Sequence, residues 1–240
     1  MKRINEFFEV TDNCVFELIS EMVLEVYAET ALAVKYPAEV RCMTNWANAH
    51  AIASGATAIA LVSGSKAKAL ADGAIAEAWH SNAVAEACVR GSEAKAMKAG
   101  AKAKALVSGA IAQAFCDGTI AEAWYSNAIA EALEDGAVAK AMVDGSKASA
   151  TEDGAVSMAM EAGAIAIARS AGSVAEACVS GSEARATVDG SKAKAMVDGA
   201  VSMAMEAGAV AIALSAGSVA ESIGDGAVAE YLHYGAAAES

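Results

Sequence analysis

Proline occurs once in 240 residues and aromatic side chains make up only 5% of them, which argues against a mixed α/β domain packed from large side chains. The interior must be built from something small. Positive charge is scarce as well: 17 lysines and arginines stand against 30 acidic residues, a formal charge of −13. A surface of that sign repels phosphates, so direct binding to nucleic acid or to an anionic membrane is not expected. A basic protein partner is compatible, including one whose surface normally binds DNA. The five cysteines (Cys14, Cys42, Cys88, Cys116, Cys178) are odd in number and contain no CxxC pair. They indicate neither a disulfide framework nor a zinc site, and reduced thiols are the expectation. The opening MKRINEFFEV carries Glu6 and Glu9 where a secretion signal would run apolar, and no stretch is long and apolar enough for a membrane-spanning helix. A soluble, cytoplasmic protein without metal or cofactor is expected.

Catalytic signals are missing too. His50, His80 and His233 are far apart in register, and there is neither a GxGxxG nor a phosphate-loop pattern. The Ser-Lys pairs of GSKAKA-type segments recur at 65, 146 and 191, and a catalytic site does not come in several equivalent copies. The chain reads as a non-enzyme.

What is present is a period. Cutting before Gly55 and every nine residues onward gives twenty units without insertion or deletion, from GATAIALVS to GAVAEYLHY at 226–234. Position 1 is Gly in eighteen units and Asn in two, Asn82 and Asn127, the residue types that tolerate positive φ. Gly145 and Gly154 are representative turn positions. Positions 4 and 6 are Ala or Ser in all units but the last, where Tyr231 stands at position 6, while 3, 5 and 7 vary among Val, Ile, Lys, Glu, Met and Trp. This alternation predicts a strand with positions 4 and 6 facing inward. A helix would separate those positions by about 200° and bear a glycine in every unit at about 1 kcal/mol each.

The number of units per coil follows from charge. Outward residues of successive coils stack about 4.8 Å apart, and like charges directly opposite destabilise a sheet. One-unit stacking sets Glu77 on Glu86 and Lys95 on Lys104; three-unit stacking sets Lys68 on Lys95. Two-unit stacking gives the column Lys68, Glu86, Lys104, Glu122, Lys140, which alternates throughout. The expectation is an all-β parallel β-solenoid with an eighteen-residue, two-stranded coil, an alanine-lined core, and ten coils spanning about 48 Å. A longer self-similarity runs through it: GAIAEAWHSNAVAEA at 73 recurs as GTIAEAWYSNAIAEA at 118, a shift of five units, which in such a coil exchanges the two faces.

The ends differ. Val15, Phe16, Leu18, Ile19, Met22, Val23, Val26 and Tyr27 are spaced i, i+3, i+4, i+7, with Glu17, Glu21, Glu25 and Glu29 opposite and Pro37 beyond. They predict an amphipathic helix of about 23 residues, roughly 35 Å. Four segments follow: a helical capping or oligomerisation segment at 1–36, a transitional coil at 37–54, the solenoid at 55–234 and a tail at 235–240. In the transitional coil Trp46 replaces the glycine, and Tyr231, Leu232, His233 and Tyr234 bring bulk to the last coil.

The nine-residue period with glycine turns resembles the calcium-binding RTX β-roll, GGxGxDxUx, except that position 2 is Ala, Ser or Thr and the motif's Asp position is Ala. The resemblance therefore implies the solenoid and not the metal. Runs such as GSKAKA, GSEAKA and GSVAEA are also similar to head repeats of trimeric autotransporter adhesins, a likeness of about 180 residues in small, solenoid-compatible residue types.

Two outer features are candidate sites. Position 7 of alternate units reads Leu70, Cys88, Leu106, Trp124, Met142, Met160, Cys178, Met196, Leu214, Leu232, with no charge, and Tyr125 beside Trp124. An apolar edge of this length demands a cover, and a second copy of the chain, with the N-terminal segment, is the expected one. Asp117, Glu134, Asp135, Glu152, Asp153 and Asp189 form an acidic edge, of a kind that binds Ca²⁺ or imitates a phosphate backbone; the plainer reading is an Asp-Gly turn whose carboxylate accepts backbone N–H groups. The function expected is a rigid rod that associates with itself, as a dimer, and presents a repetitive surface to a protein partner. The runner-up is an acidic DNA mimic that inhibits a nucleic-acid-binding protein, and an ice-binding or adhesive solenoid is third.

Overall fold

The computed structural model describes residues 45–232 without a break and, outside them, strands at 8–10, 17–18, 23–26, 31–34, 39–42 and 237–239. Every nine-residue unit makes one four-residue strand, at positions 3 to 6, and the strands go alternately to two parallel sheets. Among the described residues one sheet has fourteen strands, from Phe8–Val10 to Ala237–Glu239, and the other thirteen, from Glu17–Leu18 to Val228–Tyr231. Glu86 lies opposite Lys68 on one side and Lys104 on the other, and Glu122 lies between Lys104 and Lys140. The coil is thus eighteen residues and two strands, the arrangement in which the outer charges alternate.

The core is a double row of methyl groups: Ala67, Ala69, Ala85 and Ala87 and their equivalents have no accessible surface. Position 2, which the alternation of positions 4 and 6 did not reveal as interior, is buried as well. It is Ala, Ser or Thr, and Ser65, Ser92, Thr119 and Ser146 are all fully buried. Serine there also closes the turn. Ser92 Oγ donates to the Val89 carbonyl at 2.6 Å and accepts from the Val89 N–H at 3.2 Å, while the Ser92 N–H donates to the same carbonyl at 3.1 Å. The third residue of that turn, Gly91, has φ 77°, the left-handed conformation in which a Cβ is costly. Asn82 and Asn127 adopt it at 64° and 60°. Successive turns are themselves laddered, the Gly73 N–H donating to the Gly91 carbonyl at 3.3 Å and the Asn82 N–H to the Gly100 carbonyl at 3.1 Å.

Two serines enter the alanine core at position 4 and tie the sheets together. Ser157 Oγ donates across the interior to the Ile167 carbonyl at 3.0 Å, and Ser202 Oγ to the Ile212 carbonyl at 3.1 Å. A buried hydroxyl with a partner avoids the desolvation cost of an orphan.

Much of the amphipathic helix expected before residue 37 falls outside the described residues, among it Val15, Phe16, Ile19, Met22 and Tyr27. The described parts, Glu17–Leu18, Val23–Val26 and Ala31–Val34, are strands that extend both sheets. The coil is shorter there: Phe8 pairs with Leu24 and Val23 with Glu39, sixteen residues on, whereas Glu39 already pairs with Thr57, eighteen on. Trp46 stands in the glycine's place with φ 66° and an exposed side chain, its ring lying over Gly64. At the other end Ala237–Glu239, within the expected tail, pairs with Val219–Glu221. Tyr231 and Leu232 are exposed, and His233 and Tyr234 lie outside the described residues.

Candidate interaction surface

Position 7 follows the last residue of each strand, and its N–H still belongs to the ladder: Trp124 N–H donates to the Ala105 carbonyl at 2.9 Å and Met142 N–H to that of Ala123 at 2.9 Å. Its side chain therefore keeps the outward parity of positions 3 and 5. The register brings Leu70, Cys88, Leu106, Trp124, Met142, Met160, Cys178, Met196, Leu214 and Leu232 onto one line along the thirteen-stranded sheet. Leu70, Trp124, Met196 and Leu232 are exposed, and the others are half-buried by their neighbours on the line. Tyr125, at the adjoining turn, is 55% exposed.

Trp124 is held in place rather than free to rotate. Its Nε1 donates to Glu122 Oε2 at 2.8 Å, and Lys104 Nζ lies 5.6 Å from its ring centroid. Lys104 also pairs with Glu122 at 4.0 Å, so one cation bridges the rung below to both outer groups of the rung above. Lys68 with Glu86 at 3.3 Å and Lys194 with Glu176 at 3.1 Å repeat the inter-coil pair. On the other sheet Gln113 Nε2 donates to Glu131 Oε2 at 2.8 Å. Half-buried pairs of this kind on the outer surface contribute about 1 kcal/mol each, so they choose register more than they hold the rod.

The structure also shows a second apolar line, which sequence reasoning passed over by following only one of the two alternating sets of units. On the fourteen-stranded sheet position 7 reads Leu61, Trp79, Met97, Phe115, Leu133 before Thr151 and Arg169 interrupt it. Trp79 is 43% exposed and its Nε1 donates to Glu77 Oε2 at 2.7 Å, the contact made by Trp124 and Glu122.

Asp117, Asp135 and Asp153 occupy consecutive coils of one edge, with Glu134 and Glu152 exposed beside two of them and Asp189 two coils further along. Their carboxylates lie against the glycine turns of the next coil. A Cβ on Gly136, Gly154 or Gly172 would come 2.1, 1.9 or 1.7 Å from Oδ1 of Asp117, Asp135 or Asp153, and one on Gly208 1.8 Å from that of Asp189. Glycine is therefore favoured twice there, by φ and by the carboxylate that a Cβ would have to displace. Gly145 instead lies against Ser126, whose Oγ is 2.8 Å from where its Cβ would be. Among the described residues no group of three or more His, Cys, Asp or Glu side chains could hold a metal ion, and no helix is long and apolar enough to cross a membrane.

Cys88 and Cys178 sit on the apolar line with their thiols pushed up, by burial first and then by the neighbouring Glu86 and Glu176. His50, stacked on Lys68, has its pKa lowered by burial and by that lysine, with Glu86 opposing.

No protein-family model matches the chain, and no curated protein matches it. Among solved structures it is similar to the crystal structure of a TibC-catalysed, hyper-glycosylated fragment of TibA, at 13% identity, 98% coverage of each chain and a TM-score of 0.39. At that distance the likeness assigns neither family nor activity.

Proposed function

We propose that this chain is a structural and interaction protein: a rigid solenoid rod that associates with itself through its apolar line and presents its repeated surface to a protein partner. The observation that supports it is the charge-free run from Leu70 to Leu232, with Leu70, Trp124 and Met196 exposed. An exposed apolar line of this length marks an interaction site. The alanine interior makes the same demand. Each buried methyl contributes about 0.8 kcal/mol, whereas ordering a residue costs about 1–2 kcal/mol, so an outer apolar layer is a needed supplement. Trp124 and Tyr125, mid-rod and aromatic, are the natural hot spot. The DNA-mimic reading is weaker on the strand faces, where carboxylates are matched by lysines, as Glu86 is by Lys68 and Glu176 by Lys194, and is confined to the acidic edge.

The test is light scattering on the purified chain. Trp124→Glu combined with Met142→Lys should lower the mass at fixed concentration. A wild-type chain that stays at the mass of one copy at high concentration refutes the reading.

A further inference from the structure

The apolar line has a counterpart on the opposite face. A shift of 45 residues, five units, carries Leu61, Trp79, Met97, Phe115 and Leu133 onto Leu106, Trp124, Met142, Met160 and Cys178. Because two units make a coil, this shift is two and a half coils: a half-turn about the rod and an advance of about 12 Å. The structure repeats in detail under it. Trp79 and Trp124 are 43% and 41% exposed, and each donates Nε1 to the glutamate two residues before it, at 2.7 and 2.8 Å. Asn82 and Asn127 hold the left-handed turn beside them. Ser157 and Ser202 make equivalent cross-core hydrogen bonds from opposite sheets, at 3.0 and 3.1 Å. The rod is thus a two-sided object carrying one five-rung apolar patch twice, on faces pointing in opposite directions.

We infer that a second copy of this chain docks on each of the two patches, so that rods add laterally without closing. The inference rests on the self-association proposed above and changes its outcome from a closed dimer to an open row. A patch that pairs with its own kind closes a two-fold dimer when present once, whereas the same patch on opposite faces leaves one always unoccupied. Charge steers copies toward their faces and away from their edges. Between residues 55 and 232 the outward positions 3, 5 and 7 carry seven basic against four acidic residues on the thirteen-stranded sheet and four against five on the other. The turn positions 8 and 9 carry two basic against twelve acidic, so the negative charge lies on the edges and repels edge-to-edge approach. Area suffices as well. Each five-rung patch, about 24 Å by 16 Å, offers roughly 400 Å², and the whole face of about 48 Å that surrounds it roughly 800 Å², what one partner gives to a standard interface.

Sedimentation velocity across a hundredfold range of concentration tests this on the full chain, with Trp79→Glu, Trp124→Glu and the double variant beside the wild type. The wild-type mass should keep rising with concentration. Each single variant should level off at two copies, twice 24.0 kDa, and the double variant should stay at one. Should a tryptophan variant lose its strand circular dichroism, Met97→Lys and Met142→Lys on the adjoining rungs replace it. A wild type that levels off at two copies overturns the two-sided inference and leaves self-association standing. Single variants that still grow without limit, or a single variant that is already monomeric, also overturn it. A wild type monomeric throughout overturns both.

Discussion

Gly154 and Gly145 share the left-handed conformation, with φ 72° and 71°, and differ in what lies above them. A Cβ on Gly154 meets Asp135 Oδ1 at 1.9 Å and Cγ at 2.9 Å, whereas one on Gly145 meets Ser126 Oγ at 2.8 Å and nothing else within 3.5 Å. The array itself hints at the consequence. By the nineteen-residue offset that relates each glycine to the side chain above it, Asn82 lies under Ser63 and Asn127 under Ser108, never under an aspartate. Two terms can therefore be separated. A β-branched residue at positive φ costs about 1–2 kcal/mol, and asparagine much less. Pushing Asp135 out of its rotamer adds about 0.5–1.5 kcal/mol. Gly145→Asn should cost under about 0.5 kcal/mol and Gly154→Asn about 1 kcal/mol more, while Gly154→Val should exceed 2 kcal/mol with both terms acting. Adding Asp135→Ala should return Gly154→Asn to the cost of Gly145→Asn, a coupling of about 0.5–1.5 kcal/mol. Urea unfolding of the four proteins of that cycle reads the coupling directly. Equal costs of Gly154→Asn with and without Asp135→Ala would refute the carboxylate contact. Equal costs of Val and Asn at 145 would refute the left-handed turn.

Ser157→Ala removes one donor, shared between the Ile167 and Val174 carbonyls, but creates no clash, so it should cost about 0.5–1.5 kcal/mol, and Ser157→Val should cost more by overpacking the narrow core; an unfolding midpoint of Ser157→Ala equal to that of the wild type would contradict the cross-core role. Chelator should change neither the circular-dichroism spectrum nor the melting temperature, because alanine stands where the RTX repeat has its aspartate; a β signal lost in chelator and restored by Ca²⁺ would assign a metal to the acidic edge. His50 has a folded pKa below its ordinary 6.5, so the unfolded chain takes up its proton first. Stability should fall as pH drops through about 6.5, and His50→Gln should flatten that slope in thermal melts at pH 7.5 and 5.5. An unchanged slope would mean that the imidazole titrates normally.

How far the sequence carried depended on where sterics and charge leave a mark. Glycine at φ near 70° marks the turns, alanine marks positions 4 and 6, and the signs at position 5 pick the two-unit coil, as the pairing of Glu86 with Lys68 and Lys104 bears out. Position 2 went unread because it sits beside the turn, where serine looks like turn chemistry; it is both, inside by parity and bonded back to the turn carbonyl. The segments before residue 45 hid their strands because no glycine marks their turns and the coil there is sixteen residues long, so valines and leucines fell at helical spacing. The line from Leu61 to Leu133 was equally legible in composition. It shared its position number with the line that drew attention and lay in the intervening units.

An interior this uniform cannot by itself say which coil follows which. Ala67, Ala85 and Ala103 are interchangeable, and a strand that skipped one coil would bury the same methyl groups; register is weakly specified wherever small residues line a sheet. The outer face supplies the discrimination. Skipping one coil would set Lys68 on Lys104 and Glu86 on Glu122, replacing each attraction by a repulsion, while slipping by one unit would set Glu77 on Glu86. Each exchange is worth only about 1 kcal/mol, yet it recurs on many rungs and acts on every misregistered pair at once. The charged positions thus direct the chain to one stack of coils, which leaves position 7, where no ladder of charge runs, as the place on each face where a partner can be met.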